Sequence, residues 1–270
     1  MTLLCPVRGC HLPLTRDARR LFCLRGHSFD VARSGYINLL QPQDRRSRRP
    51  GDTPEAIAAR RRLHTRGITG PLLHAIAEML APASSEDLLD AGCGEGFYSA
   101  SLARETGCHA HGLDISIPAV DAAARRYPSC QWIVANADRF VPYADASFSA
   151  VLSITARRNA AEFRRVLRHD GRLLVGIPAP GDLAELRGAG RDRVPQTVEA
   201  LAGAFTLIGQ RRATTTAGLD AAAVHDVLLS IYRPLRARPP EAMHLTFSLD
   251  LLLFRPSATA PAAPSPDRPG

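Results

Sequence analysis

The sequence predicts a doubly wound α/β fold with a mostly parallel sheet, preceded by a small N-terminal metal-binding module. Three observations carry this. Strand-like and helix-like segments alternate from about residue 86 to residue 177, the pattern of a parallel sheet covered on both faces. A glycine-rich turn, Asp90-Ala91-Gly92-Cys93-Gly94-Glu95-Gly96, links the first of these strands to the first helix. Upstream, Cys5, Cys10, Cys23 and His27 form two close pairs.

Length and composition are compatible with one large domain or a core with an accessory module: 270 residues, 45% hydrophobic, enough to bury a core. No apolar run is long enough to span a bilayer. The start lacks the basic and apolar regions of a leader, so the six cysteines point to a reducing, cytoplasmic setting. The net charge of +8 is localised. Residues 1–66 hold 14 Arg against 5 Asp or Glu; the remainder holds 20 Arg against 21 acids. A basic face on one module is the footprint of a nucleic-acid binder.

Residues 1–40 read as that module. Cys5 and Cys10 enclose four residues, Cys23 and His27 enclose three, and strand-like Leu12, Leu14 and Phe22 lie between the pairs. Two tight turns joined by a hairpin suit a tetrahedral Cys3His zinc site. His11, beside Cys10, is an alternative ligand. So small a module needs metal for much of its stability. Residues 41–52 should be an exposed basic loop. Thr53 and Pro54 then start a helix through Arg60-Arg61-Arg62 to about Arg66. Neighbouring helical residues are about 100° apart, so these arginines should fan out toward a polyanion or simply into solvent. Residues 71–80 form an amphipathic helix, and 41–80 together read as a basic linker with helices.

The core spans 81–256. Its first strand ends at Asp90. The second, 110–113, ends at Asp114, placed to accept the two ribose hydroxyls of an adenosine or to cap the next helix. Helix 119–126, strand 131–135 with Asn136 and Asp138 at its tip, strand 148–154, helix 162–168 and strand 173–177 follow. Residues 195–204 and 219–231 read as helices; 205–210 and 244–254 read as strands that pair antiparallel at one sheet edge. Residues 257–270 are Pro/Ala-rich and should be disordered. Ligands bind at strand carboxyl ends, so the tips at 90, 114, 138 and 155 should line one cleft. Glycines at 92, 94 and 96 with Phe97 next do not make a dinucleotide fingerprint. An acid before Gly-x-Gly-x-Gly instead suits a ligand with an ammonium group and no pyrophosphate. The turn resembles motif I of class I S-adenosylmethionine (SAM) methyltransferases.

Taken together the chain resembles the bacterial 23S rRNA guanine-N1 methyltransferases, a family that includes macrolide-resistance members. The resemblance rests on Cys5, Cys10, Cys23-Leu-Arg-Gly-His27-Ser-Phe29-Asp30, Gly35-Tyr36-Ile-Asn38-Leu-Leu40, Arg46-Ser-Arg48, Pro50-Gly51-Asp52 and Ala59-Arg60-Arg61. In the core it rests on the turn itself, Gly112-Leu-Asp114-Ile-Ser116, Ala124-x-Arg126-Tyr127-Pro128 and Glu162-x-x-Arg165-Val-Leu. It implies SAM and zinc as cofactors, methyl transfer to N1 of a guanine in a domain II hairpin of 23S rRNA, RNA contacts by the zinc module and linker, and a homodimer. It implies a SAM site of Asp90, Gly92, Gly94, Glu95, Gly96 and Asp114, with Thr69 and Asp182 where relatives carry Tyr and His near the cofactor. Where relatives have an aromatic residue followed by Ala-Pro, facing the target base, this chain has Thr155-Ala156-Arg157.

The chemistry expected is in-line attack by a base nitrogen on the sulfonium methyl, catalysed mainly by proximity and orientation. The N1 proton must leave. Asn136, Asp138 and the Thr155 segment are candidates to receive it, and none is singled out. Two other functions compete: a small-molecule methyltransferase, and a non-catalytic RNA-binding protein on a decayed core.

Overall fold

The computed structural model describes residues 1–44, 50–231 and 240–258. The arginine-rich stretch 45–49 and the tail 259–270 lie outside the described residues, and so do the expectations made for them.

The N-terminal module contains a three-stranded antiparallel sheet of β1 (Thr15–Asp17), β2 (Arg20–Phe22) and β3 (Ser28–Asp30). β4 (Ile37–Asn38) leaves this sheet and joins the main one, pairing parallel with β7 (Gln131–Val134). Ile37 and Leu39 are buried in one apolar cluster with Cys5, Cys23 and Phe29 from the module and Leu113 and Ile133 from the core. The module docks again at 140–143. Leu4 N–H donates to the Pro142 carbonyl at 3.1 Å, and the His11 ring stacks on Phe140 with centroids 4.4 Å apart. Arg165 holds the underside of that loop, donating to the carbonyls of Val141 and Tyr143, each at 2.7 Å, and pairing with Glu162 and Asp145.

Two helices lead into the core. α1 (Pro54–Thr65) starts as expected, with Thr53 Oγ1 accepting from Ala56 N–H and Pro54 in the first turn. α2 (Gly70–Leu80) buries Leu73, Ile76 and Leu80, one face at helical spacing. The Rossmann-like order then runs β5 (Asp87–Ala91), α3 (Phe97–Thr106), β6 (His109–Asp114), α4 (Ile117–Arg126), β7, β8 (Phe148–Ile154), α5 (Ala160–Val166) and β9 (Leu167–Pro178). After α6 (Ala184–Arg187) and α7 (Val194–Leu201) come β10 (Phe205–Leu219), α8 (Ala221–Ser230) and β11 (Met243–Pro256). The sheet order is β10-β11-β9-β8-β5-β6-β7-β4; β11 runs antiparallel to both of its neighbours, β10 and β9, and the remaining pairs are parallel.

Several boundaries differ from expectation. The helix expected over 162–168 ends at Val166, because Leu167 is buried and pairs with Phe148 of β8. β10 runs to Leu219 rather than stopping at 210, through the alternately exposed Thr214-Thr215-Thr216. The adjacent arginines do not all face outward. Arg60 pairs with Asp52 at 2.6 Å and Arg62 grips the buried Asp226 of α8 with two hydrogen bonds, while Arg61, among the described residues, has no acidic partner. With Arg125 and Arg126 of α4 it lines a surface groove.

Candidate active site and metal centre

The cofactor turn is built by left-handed backbone at three glycines. Gly92, Gly94 and Gly96 have φ of 90°, 55° and 80°, values that favour residues without a Cβ. Their neighbours add a second reason. A Cβ on Gly96 would stand 2.2 Å from Trp132, and the same indole lies 2.2 Å from where a Cβ of Gly112 would be. Gly92 N–H and Cys93 N–H both donate to the Leu113 carbonyl, tying the turn to β6.

Asp114 stands at the tip of β6. Its two carboxylate oxygens accept Gly94 N–H at 2.9 Å and Ser116 N–H at 2.8 Å. It does not cap α4; Ser116 does, through Ala119 N–H. Burial raises the Asp114 pKa. Asp90 is 2% exposed, and burial pushes its carboxyl up to about 7. Glu95 is also buried, and neither of its carboxylate oxygens has a hydrogen-bond partner. An orphaned carboxylate beside a glycine cradle fits a ligand with an ammonium group.

α1 closes over this turn. Arg60 Nη1 comes within 3.3 Å of where a Gly94 Cβ would be. His64 stacks on Phe97 at 3.9 Å, its Nε2 lies 3.3 Å from Glu95 Oε1, and its Nδ1 is 2.8 Å from Thr69 Oγ1. So Thr69 reaches the turn through His64. Asp182 is engaged elsewhere: it accepts Ser248 N–H of β11 at 2.9 Å and pairs with Arg187 of α6. His64 was not legible in the sequence as a site residue. The available signal was its position four residues after Arg60, on the same helix face. The Pro50-Gly51-Asp52 stretch gains a physical reason as well. A Cβ on Gly51 would stand 2.4 Å from the Ser116 Cβ, and Ser116 Oγ donates to the Asp52 carbonyl at 3.0 Å.

The other expected tips adjoin. Thr155 adopts φ of 52°, and Ala156 lies against Gly92. Arg157 pairs with Asp138 at 3.3 Å, and Asn159 Nδ2 donates to the Asp138 carbonyl at 3.0 Å. These three residues, with Arg158 and Leu201, line an open pocket of ≈ 770 Å³. Burial, then Arg193, lowers the Arg158 pKa.

The metal ligands converge. The donor atoms of Cys5, Cys10, Cys23 and His27 lie within 4.8 Å of one another. Cys10 Sγ to Cys23 Sγ is 3.7 Å, and His27 Nδ1 is 3.4 Å from the sulfurs of Cys5 and Cys23. Tetrahedral Zn²⁺ with ordinary bond lengths requires roughly 3.8 Å between sulfurs and roughly 3.5 Å from nitrogen to sulfur, so the cage fits zinc. The four-residue spacing closes its turn with Cys10 N–H on the Val7 carbonyl at 2.9 Å. His11 is outside the cage, stacked on Phe140.

A zinc-ribbon family model described as "RlmA, N-terminal" matches residues 3–48, and one described as "Methyltransferase domain" matches residues 88–171. A 23S rRNA (guanine(748)-N(1))-methyltransferase of Streptomyces fradiae is 40% identical over 84% of this chain and 81% of its own length. The chain belongs to the 23S rRNA (guanine-N1)-methyltransferase family. A second relative of that family, from Micromonospora griseorubida, is 38% identical over 68% of each chain. Among solved structures, a Haloferax volcanii methyltransferase in complex with the Trm112 methyltransferase activator superposes with a TM-score of 0.52 at 20% identity, covering 76% of this chain and 98% of that one. That likeness shows the fold: a class I SAM-dependent methyltransferase core, here carrying the family's zinc ribbon.

Proposed function

We propose that this protein methylates N1 of a guanine in a domain II hairpin of 23S rRNA. The observation that carries the proposal is the joining of a four-ligand zinc ribbon to a glycine cradle in one chain 40% identical to a relative whose name states that reaction. We assign residues 1–40 to RNA recognition, 41–80 to a basic linker with helices, and 81–256 to catalysis.

SAM, when bound, supplies a methyl group already activated by its sulfonium. The chain's own residues then have to bind, orient and exclude water. The turn from Asp90 to Gly96 and the carboxylate of Asp114 hold the cofactor, with Thr69 acting through His64. Asp182, whose carboxylate also accepts Ser248 N–H of β11, is a further candidate contact of the cofactor. The pocket beside Asp138 and Arg157 receives the base, which must leave its stack to enter. Zinc in the ribbon fixes the module against the core, and its arginines meet phosphates. We place the protein in the cytoplasm, as a homodimer; no helix among the described residues is long and apolar enough to cross a membrane.

Primer extension on 23S rRNA from cells with and without the gene tests the proposal. A stop in domain II that requires the gene is the expected result; a stop elsewhere, or none, overturns it. Macrolide susceptibility of the same pair of strains decides whether the modification confers resistance.

A further inference from the structure

Glu95 is 4% exposed with two unpartnered oxygens. A buried carboxylate is stable only when donors reach it. His64 Nε2 lies 3.3 Å from Oε1, in contact without completing a hydrogen bond. The imidazole is fixed on its other sides. It lies flat on Phe97, the planes 6° apart, meets the edge of Tyr98 at 5.7 Å, and has Thr69 Oγ1 at 2.8 Å from Nδ1. Burial, then the charges of Arg60 and Arg126, lowers its pKa to about 3, so the ring is neutral. When the Thr69 hydroxyl donates to Nδ1, the ring proton sits on Nε2, facing Glu95.

Oε1 of Glu95 therefore faces a neutral N–H, and Oε2, equally buried, has no hydrogen-bond partner, with the Arg60 guanidinium the nearby charge that favours its ionised form. Arg60 is already engaged, by Asp52 at 2.6 Å and by the Ser230 carbonyl at 3.3 Å. Asp90, the acid that the motif alone would pair with an ammonium group, is 2% exposed and raised in pKa by that burial. We propose that His64 is a positioning residue for the cofactor: held by Thr69 and Phe97, it fixes Glu95 as the acceptor for the ammonium group at the methionine end of SAM. This rests on the cofactor reading given above and adds which residues read the amino-acid end.

Calorimetry on the full chain separates a positioning role from a merely structural one. SAM carries the ammonium group; 5′-methylthioadenosine has the same nucleoside and lacks the amino-acid end. His64→Phe keeps the stack and removes Nε2, and Thr69→Val removes the hydroxyl that orients the ring. Each should weaken SAM binding at least 10-fold and leave methylthioadenosine binding within twofold. Parallel loss of both ligands, or undiminished SAM binding in both variants, overturns the proposal. If His64→Phe melts at a markedly lower temperature, Thr69→Val decides alone. Failure of the unaltered protein to bind either ligand would instead sink the cofactor reading.

Discussion

Gly92 lies directly under Ala156: a Cβ on the glycine would stand 2.3 Å from the Ala156 Cβ. The first glycine of the turn and the tip of β8 are therefore packed wall to wall, and the glycine also holds φ of 90°. Gly92→Ala should cost about 1–2 kcal/mol for the left-handed backbone alone, with the clash in addition. The expected outcome is a lower melting temperature and SAM binding weakened beyond 10-fold by calorimetry. An alanine variant that binds SAM normally would show that the wall can move.

The succession of strands and helices from β5 to β9 and the cage of Cys5, Cys10, Cys23 and His27 were legible in the sequence because periodicity and ligand spacing are local signals. What escaped was set by distant partners. Ile37 and Asn38 are too short a stretch to announce a strand, and they become one by pairing with Ile133 and Val134 nearly a hundred residues on. Thr214 to Thr216 carry the β-branched signal, but a 15-residue strand is fixed by its partner β11 rather than by propensity. Of three adjacent arginines, charge alone could not say that two would turn to Asp52 and Asp226. Nor could it place His64, whose partners Thr69, Glu95 and Phe97 meet through tertiary packing.

The ribbon should hold about one zinc per chain by metal analysis. Cys23→Ser should abolish stoichiometric zinc, and strong chelation should lower the melting temperature of the whole protein. Apparent zinc-binding energies in such sites run to about 10 kcal/mol or more, and Cys5 and Cys23 share one buried cluster with the core. Two separate melting steps, with the core unaffected, would contradict this coupling.

Arg165 satisfies two carbonyls and two carboxylates beneath the loop on which the ribbon docks. Its side chain is 14% exposed and that of Glu162 15%. Arg165→Ala leaves Glu162 with only the Val141 N–H as donor and removes the guanidinium from both carbonyls, and removing one partner of a buried pair costs about 3–5 kcal/mol. Urea unfolding should show a loss toward the lower end, since Asp145 is exposed and screened. A loss under about 1 kcal/mol would mean water replaces the guanidinium at little cost.

Asp90 gives a pH signature. Its carboxyl rises from an ordinary 3.8 to about 7 in the fold, because of burial. Between those values the folded chain keeps a proton that the unfolded chain has lost, so this group makes stability fall as pH rises, by at most about 1.4 kcal/mol per unit, and then level off above 7. Asp90→Asn removes that slope. Urea unfolding of both proteins at pH 5 and pH 7.5 should show the variant gaining on the unaltered chain at the higher pH. His64 and His111, whose lowered pKa values act in the opposite direction, are common to both and cancel. An unchanged difference would mean that Asp90 titrates normally.

β4 is the outermost strand beside β7, whose Trp132, Ile133 and Val134 are buried and apolar. Leu39 N–H extends the cover by donating to the Val134 carbonyl at 2.9 Å. The metal-bound ribbon thus acts as a guard rail on an edge that would otherwise be sticky. Uncovered, such an edge is a template for pairing with another chain. Zinc starvation would then reveal itself first as insoluble protein in the pellet, ahead of any fall in turnover per soluble molecule.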